Sequence, residues 1–250
     1  MDSKQRLDVR VAAEQQVSRT KAAAMIMAGE VRLTGGRLGT PGQSVSADEE
    51  LVYTEKSDAV SRAAGKLTPA LDQWKIEVTD KVALDVGSST GGFTQVLLAR
   101  NACKVYAVDV GRGQLDWQLR NDPRVVSLEQ TDIRALELPE RPTVVTIDVS
   151  FISLRKVLPA VARLVDDRAP VIALFKPQFE VGKPVADRFK GVISDETVVE
   201  QALEEFLVWA TEKGWLVEHT MASAVVGTKG NRERLVLLRQ GEAGRSPKMG

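Results

Sequence analysis

Two lysines and two acids stand where they could move a proton. Asp148 follows an apolar run in Thr146-Ile147-Asp148-Val149-Ser150-Phe151, and Lys176 follows another in Leu174-Phe175-Lys176-Pro177-Gln178-Phe179. An ionised group closing a run as apolar as Val171–Phe175 is expensive unless it is paired or useful. Neighbouring strand ends would let Asp148 and Lys176 pair. Lys66, in Ser61-Arg62-Ala63-Ala64-Gly65-Lys66-Leu67, precedes the first helix expected of its region. Glu233 opens a closing strand in Gly230-Asn231-Arg232-Glu233-Arg234. Alone, either of these last two reads as a solvated surface charge. There is one histidine, His219, and one cysteine, Cys103. Any Ser-His-Asp or Cys-His system must therefore use His219; an ordinary zinc site is excluded, and no metal is expected.

A second constellation is the run Ala83-Leu84-Asp85-Val86-Gly87-Ser88-Ser89-Thr90-Gly91-Gly92-Phe93. A buried strand leads into a glycine turn and then a helix, and glycines there let a backbone approach a ligand closely. Three ligands compete. Gly87 and Gly92 have the spacing of a triphosphate loop, but Phe93 occupies the place of its lysine. A dinucleotide turn needs Gly-x-Gly-x-x-Gly, and this run has Gly-x-x-x-Gly-Gly. S-adenosylmethionine carries no phosphate but has an ammonium, a carboxylate and a sulfonium. Asp85 suits its cationic amino-acid end. Asp109, ending the next strand, suits its ribose hydroxyls, and Asp132, after the third, its adenine amino group. Val110 and Ile133 adjoin those acids and complete the expected cofactor lining. Acids recurring at successive strand ends favour this reading over a purely structural turn.

The elements that must position these residues follow from apolar runs and turn residues. Strands are expected at Val82–Val86, Lys104–Asp109, Val125–Leu128, Thr143–Asp148, Pro170–Phe175, Trp215–Met221 and Arg234–Leu238. Amphipathic helices are expected at Phe93–Arg100, Gly113–Arg120, Leu154–Leu164 and Glu196–Lys213. Repeated β-α units predict an α/β fold with a doubly wound, mostly parallel, seven-stranded sheet. No helix separates the last two strands, which predicts an antiparallel pair at the end of the sheet. Pro177–Asp195 reads as a long polar loop carrying Lys183, Arg188 and Lys190, a length uncommon unless functional.

The first fifty residues differ. Seven basic residues before Ser46 (Lys4, Arg6, Arg10, Arg19, Lys21, Arg32, Arg37) face four acids (Asp2, Asp8, Glu14, Glu30), although basic and acidic residues cancel at 34 each over the chain. A polyanion partner therefore requires a local patch. Ser18 is a good N-cap for a helix carrying Ala22, Met25 and Ile26 and stopping at Gly29. Val31 and Leu33 read as a short strand turned at Gly35-Gly36, and Leu51-Val52-Tyr53 as a closing strand. This is a small α+β domain over residues 1–53. A linker is expected over 54–62, the larger domain over 63–240 and a loose tail over 241–250. One cysteine, no apolar leader and no apolar stretch of spanning length suggest a cytoplasmic protein that does not enter membranes.

The larger part resembles the FtsJ type of ribosomal RNA 2′-O-methyltransferases, whose signature is a Lys-Asp-Lys-Glu tetrad; Lys66, Asp148, Lys176 and Glu233 match it in order. From about Arg6 to Leu238 the chain is similar to the haemolysin A or TlyA family of ribosomal RNA 2′-O-methyltransferases. There a small RNA-binding domain, like one in a small-subunit ribosomal protein, precedes a Rossmann-like methyltransferase. The matching segments are Ser18-Arg19 through Val31, Asp85–Phe93, Tyr106–Gly111, Lys176-Pro177-Gln178-Phe179-Glu180 and Gly230-Asn231-Arg232-Glu233. The chain departs from the family at Ala63-Ala64, where two glycines are usual, and at Thr34 and Asp132, where asparagine is common. The resemblance implies S-adenosylmethionine as cofactor and a ribose hydroxyl, of cytidine, in ribosomal RNA within ribosomal subunits as acceptor. Lys176 would be the base and Asp148 its partner, with Lys66 and Glu233 positioning the ribose. It also implies RNA contacts from Arg6, Arg10, Arg19, Lys21, Arg32, Arg62, Lys183, Arg188 and Lys190. A non-catalytic ribosome-assembly factor could lose the tetrad, which is complete here. A membrane-active haemolysin would need a spanning or basic amphipathic helix that the sequence does not offer.

Overall fold

The computed structural model describes residues 4–27, 31–53, 57–189, 191–227 and 230–241; at 20, 21, 24, 27, 38, 57–62 and 183 it describes the backbone only. The chain divides into two compact units, Met1–Ala59 and Val60–Gly250.

In the first unit, Leu7 and Val11 lie four residues apart and face inward together, which makes a helix that the sequence reading missed. Strand β1 (Lys4–Arg6) leads into helix α1 (Leu7–Glu14), and helix α2 (Arg19–Met27) follows Ser18 as expected. Then come β2 (Val31–Leu33), β3 (Arg37–Leu38), β4 (Ser44–Ser46) and β5 (Leu51–Tyr53). They pair as β1–β4 and as β3–β2–β5. Leu7, Val11, Ala22, Ile26, Val31, Leu33 and Val45 form the core. Gly29, the expected helix stop, lies outside the described residues, as do 54–56 of the linker and 242–250 of the tail.

The rest of the expected linker, 57–62, is helical backbone: α3 runs over Ser57–Gln73. No glycine or proline interrupts 57–64. Ala63-Ala64 sit inside this helix, where alanine is a better former than glycine. Lys66 therefore lies mid-helix rather than ahead of it. Next come β6 (Val82–Val86), α4 (Gly92–Ala99), β7 (Lys104–Val108), α5 (Trp117–Arg120), β8 (Val125–Leu128), β9 (Val144–Ile147), α6 (Leu154–Leu164) and β10 (Val171–Phe175). The chain ends through α7 (Pro177–Glu180), α8 (Lys183–Arg188), α9 (Glu196–Glu212), β11 (Trp215–Ala222) and β12 (Arg234–Gln240).

The seven strands form one sheet in the order β11-β12-β10-β9-β6-β7-β8. Strands β6 to β10 run parallel; β12 is antiparallel to both β10 and β11. Alternation along each strand splits the core into two faces. One carries Ala83, Val105, Ile172, Leu174, Leu235 and Leu237 against Leu67 and Leu71 of α3 and Phe93 and Leu97 of α4. The other carries Leu84, Val86, Tyr106 and Val171 against Leu158 of α6 and Phe206 of α9.

Two expected elements change. Helix Gly113–Arg120 shrinks to Trp117–Arg120 because the Glu129 carboxylate takes the N–H groups of Gln114 (2.7 Å) and Leu115 (3.1 Å), and Asp116 then caps Gln118. The expected loop Pro177–Asp195 contains α7 and α8, both begun by a proline in the first turn, where its missing N–H has no partner to lose.

Candidate active site

Sheet order reverses between β6 and β9, so the crevice of an open α/β sheet falls at their carboxyl ends. Gly87 ends β6 there with φ +83°, and a Cβ on it would lie 2.5 Å from the Asp148 carbonyl oxygen. Only glycine allows that backbone and that approach.

The alternation that buries Ile172 and Leu174 continues to Lys176, and the one that buries Leu237 and Leu235 continues to Glu233. Phe175 pairs with Arg234, so Lys176 and Glu233 stand one register step further on, at adjacent strand ends. Asp148 follows β9, held by its N–H on Val86 O at 2.9 Å. Helix α3 packs through Leu67 on the same face, which brings Lys66 to this edge. Lys176 Nζ lies 2.6 Å from Asp148 Oδ1, and Lys66 Nζ lies 2.7 Å from Glu233 Oε2. Both contacts are angled as ion pairs rather than aligned hydrogen bonds. Lys176 Nζ also donates to Ser150 Oγ at 3.1 Å. The Glu233 side chain is 3% exposed and that of Lys176 10%. Removing one partner of so buried a pair leaves a charge uncompensated, typically at about 3–5 kcal/mol. The four residues singled out by type are thus two ion pairs on neighbouring strand ends.

Among the described residues, the acids of the glycine-rich half have no lysine partner. Asp85 is fully buried; it accepts from Thr94 Oγ1 at 2.7 Å and from Thr146 Oγ1 at 2.9 Å, and burial pushes its carboxyl up to about 6. Both its oxygens face hydroxyls of the fold, so any pull on a cation would act through that layer. Asp109 accepts from Ser89 N (2.8 Å) with one oxygen and Gly111 N (2.7 Å) with the other, and it remains partly exposed. A carboxylate has about four acceptor positions, which leaves capacity for a ribose diol. Asp132 caps the 3-10 turn Ile133–Ala135 and grips the Arg134 guanidinium, whose hydrogen bonds lower its carboxyl to about 2. That acid is tied to its own turn. Val110 is 74% exposed, whereas Ile133 points into the core. Ser88 Oγ is buried in the glycine turn without a hydrogen-bond partner among the described residues. Gly91, with φ +98°, precedes α4, whose first turn holds Gly92, Phe93 and Thr94. Thr90 O accepts from Asp116 N at 3.2 Å.

The expected RNA-facing residues are dispersed. Arg6 and Arg19 both bind Asp8, each at 2.9 Å, and their hydrogen bonds hold that carboxyl well below its usual range. Arg10 is tied to Glu14 (2.7 Å) and Ser46 O (2.8 Å) and is only 16% exposed. Arg32 is exposed and donates to Gly36 O. Arg188 is exposed and lies over the Phe189 ring. The side chains of Lys21, Arg62 and Lys183, and Lys190 altogether, lie outside the described residues. The sequence reading passed over Ser150, although its place two residues after Asp148 could have marked it. It also gave no role to Phe151, which is 92% exposed with φ +63°, a rare backbone for a bulky residue.

The fold, the reversed sheet order and a Lys-Asp-Lys-Glu set at the carboxyl edge define a methyltransferase: the chain belongs to the FtsJ-like methyltransferase family, whose pattern matches residues 59–240. Among individual relatives, it is 44% identical over 228 residues to the 16S/23S rRNA (cytidine-2′-O)-methyltransferase TlyA of Mycobacterium tuberculosis, covering 89% of this chain and 84% of that one. It is 42% identical over 174 residues to the 23S rRNA (cytidine-2′-O)-methyltransferase TlyA of Campylobacter jejuni, covering 70% and 68%. The solved structure of a candidate hemolysin from Streptococcus thermophilus matches with a TM-score of 0.71 at 38% identity, covering 97% of this chain and 90% of that one. The family's methyl donor is S-adenosylmethionine. The unpartnered Ser88 hydroxyl, the spare acceptor positions of Asp109 and the glycine turn fit that group. Among the described residues no helix is long and apolar enough to cross a membrane, and no group of three or more His, Cys, Asp or Glu could hold a metal ion.

Proposed function

We propose that this chain transfers a methyl group from S-adenosylmethionine to the ribose 2′-hydroxyl of cytidine in ribosomal RNA, acting on ribosomal subunits in the cytoplasm. The observation that carries the reading is Lys176 Nζ held between Asp148 and Ser150 at the sheet edge, with the Lys66–Glu233 pair on the next strand. The two TlyA relatives support the choice of acceptor.

The donor supplies a methyl already activated on a sulfonium, so the protein mainly aligns the attack. A ribose hydroxyl is a poor nucleophile and must lose its proton as the new C–O bond forms and the C–S bond breaks. Lys176, paired here with Asp148 as an ammonium, first gives up a proton to solvent, and its free amine then accepts the ribose proton at Nζ. Asp148 then faces the ammonium it has become. Lys66 and Glu233, already paired, hold the ribose side of the crevice. Asp109, the 87–93 turn and Val110 would hold the donor, Asp85 would act on its ammonium through the Thr94 and Thr146 layer, and Asp132 would stand at its adenine end, with Ile133 in the core behind it. Residues 1–53 form the RNA-binding domain and 63–240 the catalytic one. Of the expected RNA contacts whose side chains are described, Arg32 and Arg188 have no ion pair among the described residues. Arg6 and Arg19 can share Asp8 with a phosphate, and Arg10 supports the domain from within.

Labelled S-adenosylmethionine incubated with each purified ribosomal subunit tests the reading. Label should appear as 2′-O-methylcytidine at a discrete position. Label on a base atom, or none on either subunit while the donor binds, would overturn it.

A further inference from the structure

The segment after β9 and the segment after β10 run alongside each other and are joined at three levels. At the first, Lys176 meets Asp148 (2.6 Å) and Ser150 (3.1 Å). At the second, the rings of Phe151 and Phe179 contact at 5.3 Å between centroids. At the third, Glu180 accepts from Ser153 Oγ at 2.7 Å and from Leu154 N at 2.6 Å. All the residues that fix Lys176 Nζ come from the first segment, and Glu180 is the last residue of the turn that Lys176 opens. We propose that Glu180 is a positioning residue for Lys176, locking 176–180 to 148–154 so that Asp148 and Ser150 close around the amine.

Helix capping alone does not account for this acid. Helix α6 already has its own cap, since Ser153 Oγ accepts from Arg155 N at 3.1 Å. Glu180 arrives from another strand's loop and adds a buried carboxylate at the positive end of α6, where a negative charge is favoured. Burial pushes its carboxyl up, and the Ser153 and Leu154 hydrogen bonds and the nearby Arg155 pull it back. Without the lock, the Asp148–Ser153 loop keeps its strand end and the packing of Val149 and Ile152 on the core but loses the hydrogen bonds that tie Ser153 and Leu154 to Glu180. A displacement of about 1 Å at a reacting group can cost on the order of 100-fold in rate.

The proposal rests on Lys176 being the base, so one readout uses no RNA. In the full chain carrying labelled lysine, the side-chain NMR signal of Lys176 is assigned by its loss in Lys176→Ala. Glu180→Ala should move that signal toward those of exposed lysines. It should lower kcat on ribosomal subunits by roughly 10- to 100-fold and leave the KM for the donor within about twofold. Glu180→Gln keeps an acceptor for Leu154 N and a polar group for Ser153; it should hold the signal in place and restore kcat to within about threefold. Should Glu180→Ala not fold, Ser153→Ala removes one of the two bonds and should give a smaller shift in the same direction. A moved signal in a chain whose parent does not methylate ribosomal RNA would overturn the RNA reading and support this one. An unmoved Lys176 signal with unchanged kcat in a folded Glu180→Ala or Ser153→Ala chain would overturn the lock. So would a Glu180→Gln chain as impaired as Glu180→Ala.

Discussion

The two halves of the sheet's carboxyl edge use acids in opposite ways. On the β6–β7–β8 side, Asp85 faces two hydroxyls and Asp109 two backbone N–H groups. On the β9–β10–β12 side, Asp148 and Glu233 each face a lysine brought from a distant part of the chain. Neutral donors fix a carboxylate without cancelling its charge, so Asp109 keeps a negative charge at the edge suited to a diol, with Asp85 buried behind it, whereas Asp132 is paired with Arg134. Lysines cancel the charge and place an amine at the edge, so the second half is suited to moving a proton. On the proposed function, binding and chemistry would be separated across one strand boundary, at Gly87, whose backbone approaches Asp148 O.

The sharpest way to break this comparison is to remove one group from each half. Lys176→Ala should lower methyl transfer by about 10²- to 10⁴-fold, the range of a positioned general base, and leave donor affinity within about twofold. Asp109→Ala should do the reverse, raising the donor Kd and sparing the rate at saturating donor. Rates with labelled donor and calorimetric donor affinities check both. If each variant loses both properties equally, the halves are not separate. A smaller but broader effect is expected from Gly87→Ala. Its φ of +83° and the contact a Cβ would make with Asp148 O strain both halves at once. Stability should fall by about 2–4 kcal/mol, read by chemical denaturation, with donor affinity and rate falling together.

The seven strands and the antiparallel closing pair are legible in the sequence because buried strands are written as uninterrupted apolar runs, such as Val171–Phe175. The residue types of the tetrad are legible for the same reason: a charge ending such a run stands out. Their partnering is less so. Asp148 and Lys176 end consecutive strands, but Lys66 finds Glu233 only because β12 inserts beside β10 and α3 packs over both. Short elements escape periodicity. Helix α5 is cut back by the Glu129 carboxylate, fourteen and fifteen residues away, and α7 and α8 are too short and polar to show an apolar stripe. Arg10 is basic and early in the chain, as an RNA contact should be, yet Glu14 and Ser46 hold it inward. Charge counts do not reveal which cations are already engaged.

The smallest effect sharpens the comparison within the donor half, at Asp85. Its carboxyl stands at about 6 in the fold against 3.8 when free, because burial disfavours the charge more than Thr94 and Thr146 favour it. The folded state therefore binds this proton more tightly than the unfolded chain does. Stability is lowest above pH 6, where the buried carboxylate is ionised, and rises as pH falls from about 6 toward about 4. Two units correspond to at most about 3 kcal/mol. Asp8 has the opposite sign: hydrogen bonds from Arg6, then Arg19, lower its carboxyl, so its contribution is present above its ordinary value and is lost as pH drops further. Glu180 shares the sign of Asp85, so the difference between wild type and Asp85→Asn isolates the latter. Denaturant unfolding from pH 4 to 7 should show the slope in wild type and a shallower one in Asp85→Asn. Donor affinity gives the functional half of the test. If the ionised carboxylate attracts the donor's ammonium through the threonine layer, wild-type affinity falls as pH drops below 6, while that of Asp85→Asn is weaker at pH 7 and flat. An affinity flat in both chains would make Asp85 a tie between β6 and α4 and nothing more, and would leave Asp109 as the acid that defines the binding half.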